Sequence, residues 1–237
     1  MERPRPVERA VALLEVLLCS DYPTQLAIGA TLAALGFRPG PGGHLSLGYV
    51  AALSLGDTAL LVGLIVFFLR AHGEQPRAVF VGSRPIAREA LLGVPLIVVS
   101  FAIAVAVLVL VQRFAPSLHT VAHNPLEDLI ASPAQAVLFG GVVVVAGGVR
   151  EELQRAFLLH RFDVWLGGGT VGIIVTSIAF GAGHLEVQGA DAAIATGLLG
   201  ACWGFVYLRR RSAIAPMVSH AGFDLWEIVQ YFLVRPV

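Results

Sequence analysis

The chain has 237 residues, of which 57% are hydrophobic and 14% charged, and its mean hydropathy is +0.79. A soluble domain carries charge on about a quarter of its residues, so this composition excludes an ordinary soluble fold and is typical of a helical membrane protein. The net charge is zero, and the basic residues are all arginine and form no basic patch. We therefore exclude nucleic acid as a partner and expect the lipid bilayer to be one.

The hydrophobic residues fall into long windows separated by short polar turns. A helix needs about 20 apolar residues to cross the hydrocarbon core of a bilayer. Windows of this kind lie at 20–37, 48–69, 90–112, 134–160, 170–187, 190–208 and 213–234. Residues 7–19 are amphipathic and either extend the first span or lie on the membrane surface. We predict an all-α fold, a polytopic transmembrane bundle of seven to eight helices that forms one integral membrane domain over 1–237.

The arginines predict the orientation of the bundle. The N-terminus is basic and leads into an apolar run without a clean cleavage site, which favours a retained first segment over a removed signal peptide. With the N-terminus in the cytoplasm and seven spans, the arginines expected outside are only Arg38, Arg113 and Arg235. Those expected inside are Arg3, Arg5, Arg9, Arg70, Arg77, Arg84, Arg88, Arg161, Arg209, Arg210 and Arg211. The positive-inside rule thus predicts a multi-pass protein of the cell membrane with a cytoplasmic N-terminus.

Ionisable side chains inside the predicted spans are concentrated in the second half of the chain. A charge at the centre of a span costs about 2.5 to 3.5 kcal/mol, so such groups need partners and often mark a functional site. They are Arg150, Glu151, Glu152 and Arg155 in the fourth span, His184 and Glu186 in the fifth, and His220, Asp224 and Glu227 in the seventh. Taken alone, the fourth-span charges are equally typical of a salt-bridged cluster that holds helices together.

The spacing of these residues limits which of them can share one site. His220 and Asp224 are four residues apart and therefore lie on one helix face. Glu151 and Glu152 are about 100° apart around a helix axis and cannot both point into one small site. One glutamate can face a cavity while the other binds an arginine, and Arg155 is within reach of either.

The predicted depths of these residues agree only in part. Counted from the cytoplasmic span ends at 1.5 Å per residue, Glu151 lies roughly 14 Å deep and His220 roughly 11 Å deep. His184 lies roughly 21 Å deep, about two turns further. Either the fifth span begins elsewhere, or its helix is displaced or tilted.

A carboxylate, two imidazoles and a further polar side chain in a cavity of low dielectric form a plausible hydrolytic set. Glutamate can take a proton from water, and imidazoles can orient that water or donate to a developing oxyanion. Burial raises the pKa of a carboxyl group toward neutrality, which suits a general base that works near pH 7.

The order of the motifs resembles one protein family. The pair Glu151-Glu152 with a nearby arginine, Phe180-x-x-x-His184 and His220-x-x-x-Asp224 follow one another on successive predicted spans. This order resembles the CPBP family, the CAAX proteases and bacteriocin-processing enzymes formerly called Abi, whose pattern is EExxxR, FxxxH and HxxxN or HxxxD. The resemblance covers roughly 134–234, a catalytic four-helix core; the first three spans match only in being hydrophobic.

The resemblance implies an intramembrane endopeptidase that cleaves membrane-associated peptides or proteins. It implies that Glu151 is the general base that activates water, assisted by His184, and that His220 with Asp224 binds the oxyanion. It also implies that Glu152 and Arg155 form a supporting pair. Whether the substrate is prenylated, as in the CAAX enzymes, is not decided by these residues.

Two departures from the family pattern bear on these roles. The arginine comes one residue early, with Ala156 at the usual position. Because Arg155 is four residues after Glu151 and three after Glu152, either glutamate can be the base, and we favour Glu151. An ionised Asp224 would repel an oxyanion, so Asp224 is protonated, orients His220 or binds a metal.

The residues allow a site with a bound metal or one without it. His184, His220 and Glu151 would supply the His₂Glu ligand set of a catalytic zinc site, and family members are often described as metalloproteases. Against a metal, the chain has no HExxH motif, and the resembling eukaryotic enzyme is thought to act through a glutamate. A divalent metal such as zinc therefore stays an open alternative.

Two further functional classes place acids and histidines inside spans. A transporter should show repeat symmetry or broken helices at the midplane, and the chain shows no such repeat. A non-catalytic protein that binds membrane peptides, such as a bacteriocin-immunity protein, is the remaining alternative. Loss of function on replacing Glu151 distinguishes an enzyme from such a binder.

Overall fold

A computed structural model describes residues 4–40, 45–121 and 126–234 of the chain. The regular elements in these described ranges are all helical, with no strand among them, which confirms the all-α prediction. The α-helices are α1 Pro6–Leu18, α2 Tyr22–Ala34, α3 Leu47–Ala71, α4 Pro76–Phe80, α5 Ile86–Phe114, α6 Pro133–Val143, α7 Glu152–Trp165, α8 Gly169–Gln188, α9 Ala190–Arg210 and α10 Ile214–Val234. A π-helical segment, Val144–Glu151, joins α6 to α7, and short 3₁₀ turns lie at Pro116–Leu118 and Glu127–Leu129.

Several helices are long and apolar enough to cross a membrane. Within the described part of the chain, α3, α5, α8 and α9 meet this condition individually. The pair α1 and α2, bent by 43°, meets it together. The continuous helix from α6 to α7 and the last helix, α10, are also long, but they carry the charged and polar residues of the predicted site. The chain is a multi-pass membrane protein.

The predicted spans differ from the helices at two places. The predicted first span, 20–37, is in fact α2 alone, because Asp21 takes a left-handed backbone with φ of 81° and separates it from α1. The predicted fourth span ends at residue 160, whereas α7 continues to Trp165. Charged and aromatic residues at the end of α7 lower its hydropathy and hide this last turn from a window analysis.

The π-helical segment packs closely against α10. Gly148 has no Cβ, and one placed there would lie 2.5 Å from the Cβ of Ala221 on α10. The glycine therefore lets α10 pack directly against the backbone of the segment. Single π-helical turns are frequent at functional sites, because the wider turn changes the direction of the side chains that follow.

One end of the bundle holds a buried arginine cluster on α7. The guanidinium of Arg161 is fully buried, and it donates to Glu15 at 2.5 Å and to Glu74 at 2.6 Å. His72 and His160 lie 2.6 Å and 2.7 Å from these same two carboxylates. We call these five residues the sealed cluster, because it ties α1, α7 and the end of α3 together away from any cavity that the structure describes.

Candidate active site

Four of the predicted site residues line one cavity of about 870 Å³. Glu151 comes from the π-helical segment, His184 from α8, and His220 and Asp224 from α10. The cavity walls also come from α3, α6 and the residues before α6. The structure therefore brings together side chains that are up to 73 positions apart in the sequence, from Glu151 to Asp224.

The two adjacent glutamates have different environments. The side chain of Glu151 is 18% exposed and lies on the cavity wall. The side chain of Glu152 is 1% exposed and points into the helix bundle. The angular separation expected of neighbouring helical residues thus places one carboxylate in the cavity and the other behind it.

Glu152 is held by two donors. The guanidinium of Arg155 and the Nδ1–H of His220 both donate to its Oε1 atom, the latter at 2.9 Å. Arg155 also lies over the ring of Phe180, 4.6 Å from its centroid. The early arginine of the sequence therefore binds the second glutamate, three residues before it. Ala156, where the family pattern has arginine, is buried in the hydrophobic core.

His220 is fixed on three sides. Its ring stacks on Trp203 with a centroid distance of 4.0 Å, and the indole of Trp203 donates to Ser219 at 3.1 Å. The Nδ1–H of His220 donates to Glu152. The Nε2 atom, on the other side of the ring, faces the cavity and lies 3.8 Å from Glu151 and 3.7 Å from Asp224. This nitrogen is the one that can meet a substrate.

His184 has a fixed tautomer. Its Nδ1 atom lies 2.8 Å from the carbonyl oxygen of Phe180, and since a carbonyl oxygen only accepts, Nδ1 carries the proton. The ring also packs edge-on against Phe180, with centroids 4.8 Å apart. An unprotonated Nε2 then remains to act on a water molecule in the cavity.

The depth discrepancy predicted for His184 has a simple structural cause. The helices α7 and α8 are joined by a short turn between Trp165 and Gly169. Glu151 lies about four turns before this connection and His184 about four turns after it. The predicted depth of Glu151, not that of His184, was wrong, because the fourth span was ended five residues too early, at 160 instead of 165.

Gly147 is a site residue that sequence reasoning missed. It lies one turn before Glu151, on the same face of the helix. A Cβ at this position would lie 2.6 Å from the Oδ2 atom of Asp224 and 4.0 Å from the Nε2 atom of His220. Only a residue without a side chain leaves room for that carboxylate. Two consecutive glycines before a charged pair inside a span were the available signal.

Arg150 connects the site to the N-terminal helices. It is buried, and its guanidinium lies 2.8 Å from Asp21 and 3.4 Å from Glu151. Asp57 of α3 lies 3.9 Å from its Nε atom. These partners of Arg150 were not predicted, because an ion pair between residues far apart in the chain leaves no local pattern in the sequence.

Glu186 and Glu227 occupy different positions relative to the cavity. Glu186 is exposed and is not among the residues that line it. Glu227 lies on its wall, one turn beyond Asp224.

A second cavity of about 240 Å³ shares His184, His220 and Asp224 with the first, and its remaining walls are largely apolar side chains of α5, α8 and α9.

The predicted metal ligands Glu151, His184 and His220 line the same cavity. Across the described residues, no group of three His, Cys, Asp or Glu side chains is arranged to hold a metal ion. The Nδ1 atom of His220 is bound to Glu152 and that of His184 to a backbone carbonyl, an arrangement that metal-ligating histidines also show and that leaves the Nε2 atom of each ring available. A divalent metal such as zinc stays an alternative, and the steps proposed below are written for protein groups and water.

The fold and the site define a class of protein: a multi-pass helical membrane protein with a polar, acid-lined cavity inside its bundle. Residues 133–226 match the family model described as type II CAAX prenyl endopeptidase Rce1-like. This segment is an Rce1-like domain, in agreement with the resemblance to the CPBP family. Such a domain belongs to the intramembrane endopeptidases, which are hydrolases that act on peptides or proteins. Searches among curated proteins and among solved structures found no match.

Proposed function

We propose that this protein is an intramembrane endopeptidase in which Glu151 activates water for attack on a peptide bond of a membrane-associated peptide. The observation that carries the proposal is the difference in environment between the two glutamates. Glu152 is buried and held by Arg155 and His220, whereas Glu151 lies on the wall of the cavity. Only the latter carboxylate can reach a water molecule and a substrate together.

Glu151 and His184 act on the water in this proposal. The carboxylate of Glu151 accepts a proton as the water oxygen attacks the carbonyl carbon, and the Nε2 atom of His184 orients the water. A positioned general base of this kind contributes roughly 10²- to 10⁴-fold to the rate. The proton on Glu151 then passes to the leaving amine when the tetrahedral intermediate breaks down.

His220 acts on the other side of the carbonyl group. When its ring is protonated, the Nε2–H donates to the developing oxyanion, and Glu152 holds the ring through Nδ1. Preorganised donors of this kind are worth roughly 10²- to 10³-fold in kcat. Because an ionised Asp224 would repel an oxyanion, we assign Asp224, in its neutral form, to orienting the His220 ring, whose Nε2 atom lies 3.7 Å from its Oδ2 atom.

The two adjoining cavities support a substrate that extends to both sides of the site. Both cavities have mixed polar and apolar linings, and the walls that α5 and α9 give the smaller one are mainly apolar. A peptide chain that passes His220 and Asp224 can place an apolar group in the smaller cavity and its backbone in the larger one.

We orient the arginine-rich end, which includes Arg161, Arg210 and Arg211, toward the cytoplasm, in line with the positive-inside rule.

The test compares membrane peptides by mass spectrometry in cells that express the wild type, Glu151→Gln or Glu186→Gln. We expect a set of cleavage products that the wild type and Glu186→Gln both produce and that Glu151→Gln does not. The matched control removes a carboxylate that is exposed and does not line the cavity. Identical peptides in all three samples would count against proteolysis and support a peptide-binding protein.

Two further arms of the experiment use a synthetic peptide that spans the cleavage site so identified. Purified protein is incubated with prenylated and unprenylated forms of this peptide, which separates a lipid requirement from recognition of the peptide alone. A chelator titration with the same peptide addresses the metal. If the chelator abolishes activity and zinc restores it, a bound metal activates the water, and the activation by protein groups alone that is proposed here is wrong.

A further inference from the structure

Arg150 is bound by more carboxylates than a single guanidinium requires. Its Nη1 atom lies 2.8 Å from Asp21 and its Nη2 atom 3.4 Å from Glu151. Its Nε atom makes no hydrogen bond and lies 3.9 Å from the Oδ2 atom of Asp57. Three acids therefore surround one buried arginine, and one of the three is the proposed base.

Asp57 is an unusual residue for the middle of a membrane helix. It lies within α3 with 1% of its surface exposed, and neither carboxylate oxygen makes a hydrogen bond. An unpaired buried carboxylate costs several kcal/mol, so its presence needs a compensating interaction. The cation that faces it is the guanidinium of Arg150. The Nη2 atom of the same guanidinium lies 3.4 Å from Glu151.

We propose that Asp57 and Asp21 are positioning residues for Glu151 and act through Arg150. A guanidinium next to a carboxylate tends to form a tight bidentate pair with it. Here Asp21 takes the short contact, Asp57 attracts the Nε edge, and Glu151 is left with one long contact of 3.4 Å. The catalytic carboxylate thus stays oriented by Arg150 without being sequestered by it.

The inference rests on the proposed role of Glu151 and extends the active site beyond the matched segment. Asp21 precedes α2 and Asp57 lies in α3, whereas the family model begins at residue 133. The side chain of Gln154 adds a second link, because it donates to the backbone carbonyl of Cys19 at 2.9 Å. The N-terminal helices, which match the family only in being hydrophobic, therefore tune its catalytic carboxylate.

The test is a double-mutant cycle on the purified full-length protein with the synthetic peptide identified above. Asp57→Asn keeps the shape of the side chain and removes its charge, so Arg150 turns onto Glu151. We expect kcat to fall about 10- to 100-fold with KM changed less than about twofold. In the Arg150→Gln background there is no guanidinium that could move onto Glu151. We therefore expect Asp57→Asn to change kcat less than about threefold in this background.

Glu89→Gln is the matched control for a merely structural effect. Glu89 is also a carboxylate with 1% exposure that binds an arginine, since Arg210 donates to it at 2.6 Å. It lies at the arginine-rich end of the bundle, far from the cavity walls. This substitution should lower the unfolding temperature and leave kcat within about twofold of the wild type.

The possible outcomes separate the two proposals. If Asp57→Asn leaves kcat unchanged while Glu151→Gln is inactive, or if its effect is equally large with and without Arg150, the positioning role is wrong and the proposed function stands. If Glu151→Gln retains full activity, the proposed function fails and the positioning role fails with it. Should Asp57→Asn not fold, Asp21→Asn in the same cycle measures the same dependence on Arg150.

Discussion

The helix α7 carries two buried arginine–glutamate clusters that look alike in the sequence and differ in the structure. At its start, Arg155 and His220 bind Glu152 directly behind the cavity. At its end, Arg161 binds Glu15 and Glu74 in the sealed cluster. In each cluster, glutamate carboxylates neutralise a buried guanidinium. Only the first has a member with an atom directed into a cavity, the Nε2 atom of His220.

This difference shows what distinguishes a site from a structural ion pair in a membrane protein. A buried arginine needs a partner in either case, because a single unpaired charge is too costly. The sealed cluster uses its hydrogen bonds to join α1, α7 and the chain beyond α3. The other cluster uses the same pairing to hold an imidazole in one orientation. Three experiments test this contrast.

The largest expected effect comes from removing one carboxylate from each cluster. Glu152→Gln and Glu15→Gln each leave a buried arginine short of a counter-charge and should lower the free energy of unfolding by about 3 to 5 kcal/mol. Only Glu152→Gln also removes the acceptor that orients His220, so its kcat should fall at least about 100-fold. Thermal unfolding in detergent and steady-state kinetics of peptide cleavage measure the two effects.

For Glu15→Gln we expect the folded protein to keep kcat within about twofold of the wild type, because the sealed cluster touches no residue of the cavity. An equal loss of kcat in both variants would break the comparison. It would mean that both clusters act on the site, or that kcat reports only the fraction of folded protein.

A smaller effect is expected from a methyl group on the cavity wall. In Gly147→Ala the new Cβ would lie 2.6 Å from the Oδ2 atom of Asp224 and would displace this side chain relative to His220. A displacement of about 1 Å at an active site can cost up to about 100-fold in rate. Gly141→Ala is the control, because a Cβ at Gly141 meets nothing within 4 Å. We expect kcat to fall about 10- to 100-fold in the first variant and to stay unchanged in the second.

Equal activity of the two alanine variants would show that Asp224 tolerates movement and does not hold His220. Both proteins should be compared at the same concentration of folded material. Alanine is a better helix former than glycine by about 0.5 to 1 kcal/mol, so an unfolding temperature at or above that of the wild type is expected for the control.

The smallest effect concerns the pH dependence of the sealed cluster. Burial raises the pKa of Glu74, but hydrogen bonds from His160 and Arg161 lower it by more, so the pKa of this carboxyl lies below its ordinary value of 4.5. A carboxyl with a lowered folded-state pKa stabilises the fold above its ordinary pKa and loses this contribution as the pH falls through the folded-state value.

The unfolding temperature of Glu74→Gln should therefore lie below that of the wild type at about pH 6 and approach it below about pH 4. Glu186→Gln, which replaces an exposed carboxylate, should show the same small difference at both pH values. A deficit of Glu74→Gln that persists at the acid pH would mean that the carboxylate is not the stabilising form.

Local sequence features were enough to predict most helices, and four of the site residues that they indicate line one cavity. Continuous apolar windows predict helices whatever their neighbours are, because the bilayer satisfies no backbone hydrogen bond and leaves few alternatives. The spacing of His220 and Asp224 and the angle between Glu151 and Glu152 follow from helix geometry alone. The end of α7 was missed, because the charged residues Arg161 and Asp163 interrupt the apolar pattern there.

The sequence by itself thus determined an all-helical membrane bundle and two adjacent glutamates that had to face different surroundings. Only the tertiary structure decided which glutamate faces the cavity, that Arg155 binds Glu152, and that Asp21 and Asp57 share Arg150. The physical reason is the range of the forces involved. Helix formation and side-chain direction depend on residues a few positions apart, whereas charge pairing in a medium of low dielectric depends on distance in space between helices far apart in the chain.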